Sequence, residues 1–225
     1  MRGFTWPLAA SLAVAASFAF TPVADAAPAV AAHWAMDETA GATAFDDSGH
    51  GFNGALTNVT LGLPGASGLS GDTAFGFNGQ SSKMIVPKVA GLAAGTSNVT
   101  VTVHVRTTHR PGIGKFDFDL FSKGWYQIEI YPRNGKAQAR CKFIGTAKKA
   151  KIVLQDGPDL IDGDWHTIVC HKEATKVSLT VDGTTFTQSG AVGELKPGGK
   201  TFIGVGSDGT DLYNGELDDV TVEIG

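Results

Sequence analysis

Residues 162–183 read DGDWHTIVCHKEATKVSLTVDG, and this stretch decides the fold. Val177, Leu179 and Val181 alternate with Ser178 and Thr180. A period of two sends alternate side chains to opposite faces of a strand, so the apolar set covers a core and the polar set faces out. Asp162-Gly163 and Asp182-Gly183 bracket the run with residues suited to tight turns. The same grammar repeats outward along the chain. Val99, Val101, Val103 and Val105 alternate with Thr100, Thr102, His104 and Arg106, and Tyr126, Ile128 and Ile130 alternate with Gln127, Glu129 and Tyr131. Val220, Val222 and Ile224 do so with Thr221 and Glu223. Asn134-Gly135 between two such runs signals a hairpin. No helical periodicity of useful length follows residue 33. The expected fold class is all-β, a sandwich or jelly roll of about a dozen short strands.

The beginning of the chain has a different character. Arg2 precedes Leu8–Phe20, an uncharged apolar run, and Ala24-Asp25-Ala26 offers a small-residue cleavage site. The run is shorter than the about 20 residues a membrane-spanning helix needs. The expected organisation is a signal peptide over 1–26, a linker over 27–30 and one domain over 31–225. The product is then secreted and extracellular, without a membrane span. Cleavage removes one basic and one acidic residue, leaving the net charge at −4. That mild acidity provides no basic patch for nucleic acid. A monomer is expected.

Two cysteines, Cys141 and Cys170, lie in strand-like runs. Export and an even count favour a disulfide, expected between adjacent antiparallel strands, over two separate buried thiols. The ligand spacing of a zinc site and the C-x-x-C of a redox site are both missing.

Six segments in order carry a resemblance: HWAMDETAGATAFDDSGHGFNGAL, TAFGFNGQSSKMIVP, NVTVTVHVRT, FDLFSKGWYQIEI, DGDWHTIVCHKEATKVSLTVDG and YNGELDDVTVEIG. Together they resemble the laminin G-like, concanavalin A-like lectin/glucanase domain, in its bacterial and pentraxin-related branch. The resemblance spans roughly residues 31–225. It implies a jelly-roll sandwich of two antiparallel sheets with the chain ends paired as adjacent strands. His104 departs from it, standing where that family often has Trp.

A fold of this kind hosts binding modules and enzymes alike, so the site must decide. Glu216 and Glu223 superficially resemble the acidic pair of the glucanases, but seven residues separate them and a regular strand turns them to opposite faces. A lyase would want an Arg, His and Tyr group, for which His104, Arg106, Tyr131, Arg140 and His171 are available without a distinguishing spacing. His166 reads as a packing and capping residue. Asn58-Val59-Thr60 and Asn98-Val99-Thr100 match glycosylation sequons by chance.

Calcium wants six to eight oxygens. Asp37, Asp47 and Asn53 lie in an oxygen-rich segment, and Asp218 shares parity with the core-facing Val220 and Val222. The resemblance implies that the early loop and the closing strand lie side by side, so a structural calcium joining Asp47 to Asp218 or Asp219 is expected. Turn-forming carboxylates are the alternative. Trp125, Gln127, Glu129 and Tyr131 share one strand face and could offer a glycan a stacking platform, with ordinary sheet packing as the alternative. The sequence reading is therefore a non-catalytic module that binds a polysaccharide or glycoconjugate. The other readings are a module for a cell-surface protein partner and a glycan-active hydrolase or lyase.

Overall fold

The computed structural model describes residues 28–112, 117–148 and 150–225, with positions 1 and 3. Apart from positions 1 and 3, the expected signal peptide falls outside the described residues. No helix among them is long and apolar enough to cross a membrane.

The strands, in chain order, are β1 (Ala29–Trp34), β2 (Thr43–Ala44), β3 (Gly54–Thr57), β4 (Thr60–Pro64), β5 (Thr73–Asn78), β6 (Lys83–Val86), β7 (Val99–Arg106) and β8 (Phe118–Lys123). They continue with β9 (Tyr126–Arg133), β10 (Lys136–Ile144), β11 (Lys151–Asp156), β12 (His166–Lys172), β13 (Lys176–Val181), β14 (Thr184–Ser189), β15 (Thr201–Ile203) and β16 (Asn214–Ile224). One antiparallel sheet has the order β14-β13-β12-β7-β16-β5-β4, with β1 also on β16; the other runs β11-β10-β9-β8-β15-β6-β3-β2. We call them the terminal sheet and the front sheet. The two ends of the described domain are adjacent strands, with Ala29 opposite Ile224. Strand β1 thus starts at Ala29, inside the segment expected to be linker.

Alternation builds the core directly. In β7 the four valines are buried and the Thr, His and Arg between them are half-exposed. Opposite them, Tyr126, Ile128 and Ile130 of β9 and Ala137, Ala139 and Phe143 of β10 are at most 1% exposed. Burial of the valines, isoleucines and phenylalanine among them stabilises by roughly 1.5–3 kcal/mol each.

Two of the bulges that break the alternation bear on the candidate sites. In β16 the register against β7 shifts between Asp218 and Thr221, with Asp219 at φ +45°. Leu217 faces the core opposite Val105, Asp218 faces outward opposite His104, and Val222 faces the core opposite Val101. The expected parity of Asp218 with Val220 is therefore corrected: the extra residue re-phases the strand. In β8 the register shifts between Asp119 and Phe121, and every residue of that strand is buried.

The disulfide Cys141–Cys170 is present, with Cα atoms 5.6 Å apart. Its expected setting needs correction. Cys141 lies on β10 of the front sheet and Cys170 on β12 of the terminal sheet, so the bond joins the two layers across the core.

Candidate functional site

The outer face of the front sheet carries a network of ion pairs that joins Arg140 and Lys142 to Glu129 and Asp117. Gln127, Glu129 and Tyr131 of β9 do face outward together, paired in register with Lys142, Arg140 and Gln138 of β10. They do not form an open platform. Gln127 is 9% exposed and donates to Ser122 Oγ, while Glu129 is 1% exposed and accepts from Arg140 and from Lys142 Nζ at 3.1 Å. The Arg140 guanidinium lies 3.7 Å from the centre of the Tyr131 ring and covers that face. Trp125 sits in the turn before β9, with Lys196 Nζ 4.3 Å from its ring centre.

Trp125 opens instead onto a hollow of about 520 Å³ at the end of this face. Phe202 of β15, Lys196, Lys200 and Ser207 line it with the glycine-rich turn 198–199. Lys123 is fully buried beneath, donating to Gly199 O, and burial and the neighbouring charge of Lys88 push its pKa down. The hollow is thus aromatic-walled with an excess of positive charge.

Farther along the same face lies a group that the sequence reading missed. Asp117 and Asp119, two apart around the start of β8, meet Asp211 from the loop between β15 and β16. Arg140 pairs with Asp117 as well as with Glu129. Burial, then the charge of Glu129 and of Asp117, pushes the Asp119 carboxyl up to about 8. Burial and Glu129 push Asp117 up to about 6 against the pull of Arg140. The alternating acids in FDFDLF were a legible signal; the arrival of Asp211 had none.

The expected calcium ligands are not brought together as one set. Asp37 Oδ1 accepts from Thr73 N at 2.7 Å, and Asn53 Oδ1 accepts from Asp46 N at 2.9 Å. Asp47 is exposed, and it is Asp46 that is buried. Burial pushes the Asp46 carboxyl up, yet hydrogen bonds from Ser48, His33 and Phe52 hold it below its ordinary value. Asp218 and Asp219 are close to Asp72 rather than Asp47. Asp218 is fully buried, and both its oxygens accept backbone N–H groups, from Ala66 at 2.7 Å and from Asp219 at 2.9 Å. Asp219 pairs with His33 Nε2 at 2.9 Å. This corner stitches the loop 65–72 and β1 onto the closing strand, and among the described residues it leaves no buried carboxylate oxygen without a partner there.

The catalytic candidates disperse. The β16 bulge turns Glu216 and Glu223 to the same face after all, opposite Arg106 and Thr100, but six rises of the strand, about 20 Å, keep them apart. Glu216 is tied to Arg106. His104, Arg106 and His171 lie on the terminal sheet and Tyr131 and Arg140 on the front sheet, so no joint site forms.

By sequence, the family described as the concanavalin A-like lectin/glucanases superfamily matches residues 78–223. The chain belongs to this superfamily. No curated protein matches the chain by sequence. Among solved structures, this concanavalin A-like domain is similar to the binding domain of Paraclostridial Mosquitocidal Protein 1, with TM-score 0.64 and 14% identity, over 87% of this chain and 48% of that one. The chain thus spans about half the length of that binding domain. It is also similar to domain 4 of AbnA, a GH43 extracellular arabinanase from Geobacillus stearothermophilus solved in complex with arabinotriose. There the TM-score is 0.62 and the identity 16%, over 88% of this chain and 93% of that one. Mouse laminin alpha1 domains LG4-5 are similar at TM-score 0.51 and 17% identity, over 66% and 40%. At these identities the likeness is one of fold.

Proposed function

We propose that this chain is a secreted, non-catalytic binding module for a polysaccharide or glycoconjugate, and that the ligand carries anionic groups. The observation that carries the reading is the hollow where Trp125 and Phe202 meet Lys196 and Lys200. Binding sites combine a concave apolar wall with a few convergent polar groups. Aromatic rings supply broad apolar area there, and lysine heads supply point charges for carboxylate or sulfate. The arabinotriose complex of the similar arabinanase domain supports a glycan as ligand class. The non-catalytic part rests on the dispersal of Glu216 and Glu223 and on the burial of Asp119, which is 4% exposed.

The test is a glycan array carrying neutral, uronate-bearing and sulfated chains, probed with the whole protein. Selective, salt-sensitive retention of acidic glycans is expected. Trp125→Ala should weaken binding at least tenfold without shifting the melting midpoint by more than a few degrees. Silence on the array together with capture by one cell-surface protein would replace this reading with the adhesion one. New reducing ends or unsaturated uronates in mixed polysaccharides would make the chain an enzyme.

A further inference from the structure

Asp119 carries the least compensated buried charge on the front sheet. It is 4% exposed, and its Oδ1 has no hydrogen-bond partner among the described residues. Asp211 Oδ1 is likewise buried and without a partner among the described residues, while its Oδ2 accepts from Thr210 Oγ1 at 3.0 Å. A buried carboxylate oxygen left unpaired costs several kcal/mol unless a proton or a cation meets it.

The surroundings favour a cation. One carboxylate oxygen from each of Asp117, Asp119 and Asp211 lies within 4.8 Å of the others. Two oxygens across a calcium, each at about 2.3–2.6 Å, stand at most about 5 Å apart, whereas magnesium at about 2.0–2.1 Å requires a tighter set. The donors are all oxygen, the preference of a hard divalent ion. Charge balance agrees. With all four ionised, as a bound cation would hold them, Asp117, Asp119, Asp211 and Glu129 are met among the described residues by Arg140 and Lys142, which leaves two negative charges for the ion.

The backbone holds the group in place. Asp119 N donates to Asp211 O at 3.0 Å, and Gly206 N donates to Thr210 O at 2.8 Å, folding the loop over β8. A Cβ at Gly206 would stand 2.7 Å from Asp119 Oδ2 and 3.0 Å from Thr210 O, so a side chain there would crowd the approach of the loop to Asp119. Asp208 Oδ1 caps the loop by accepting from Thr210 N and Oγ1. A cavity of about 490 Å³ lined by Asp117, Thr210 and Asp211 supplies the entry path.

We propose that Asp117, Asp119 and Asp211 hold a calcium ion on the outer face of the front sheet. The ion clamps the β15–β16 loop to β8. This site is separate from the Asp218 corner and stands independently of the glycan reading.

Calcium chloride titrated calorimetrically into the chelator-treated whole protein tests it. Wild type should bind one ion, and a hundredfold excess over Kd should raise the melting midpoint by several degrees. Asp119→Asn, which mimics the protonated acid, should weaken binding at least a hundredfold. Asp211→Asn, on the loop side, gives the same readout from a residue outside the sheet. Asp218→Asn should leave binding within about twofold. The proposal is overturned if wild type takes up no calcium at millimolar concentration, if both Asp119→Asn and Asp211→Asn still bind normally, or if Asp218→Asn alone abolishes binding. Magnesium binding as tight as calcium would overturn the choice of ion.

Discussion

Cys141 and Cys170 lie 5.6 Å apart at Cα on strands from opposite sheets. The two layers converge here, and Cys141 Sγ lies 3.9 Å from Ser178 O on β13. The disulfide therefore restrains the sandwich itself rather than one ladder. Its sequence separation of 29 corresponds to about 3–4 kcal/mol on the chain-entropy account. Replacing both cysteines by serine should lower the midpoint in scanning calorimetry by about 10 °C. Intact mass before and after reduction and alkylation should show no free thiol in the native protein.

Arg140 spans Glu129 and Asp117 and covers Tyr131. Its side chain is 13% exposed and that of Glu129 2% exposed, so its removal strands a buried charge. Arg140→Ala should cost about 3–5 kcal/mol in urea unfolding. Arg140→Lys should recover less than half, because an ammonium cannot bridge two carboxylates as a fork does. Adding Glu129→Gln to Arg140→Ala should restore part of the loss.

His166 joins two turns, with Nδ1 2.7 Å from Asp182 Oδ2 and Nε2 3.0 Å from Asp162 Oδ1. Burial disfavours its charged form, but the hydrogen bonds to Asp182 and Asp162 and their charges outweigh that and raise its pKa above 6.5. The charged ring is thus bound more tightly in the folded state. Its stabilisation is fully present below pH about 6.5 and is lost as pH rises through the folded-state pKa. His166→Gln should therefore destabilise more at pH about 5.5 than at pH about 9. Equal losses at both ends, measured by urea titration, would contradict the charged pairing.

Asp219 holds φ +45° at the β16 bulge. A β-branched residue there should cost about 1–3 kcal/mol in backbone strain, and glycine none. Asp219→Val should accordingly be clearly less stable than Asp219→Gly. Loss of the half-exposed pair with His33 contributes at most about 1 kcal/mol to either variant. Thermal melts of the two variants decide it.

Strand existence and side-chain alternation in β7, β9, β12 and β13 were legible in the sequence, because both are local: the period of two is a property of each extended segment alone. The pairing of the chain ends came from the ordered resemblance and is seen between Ala29 and Ile224. What failed was parity carried through β16. Asp218 looks core-facing by counting, and a single extra residue at Asp219 reverses that, since one inserted position flips every later side chain. The partners of Asp119 were equally out of reach. Asp119 and Asp211 are joined only because β15 pairs with β8 and the following loop folds back over it. The same holds for Glu129, which looks like an open ligand residue on its strand and is 1% exposed once Arg140 and Lys142 of β10 close over it. Local spacing determined which residue types line a face. Only long-range packing decided which of those charges meet, because desolvation and Coulomb energy depend on distance in space rather than along the chain.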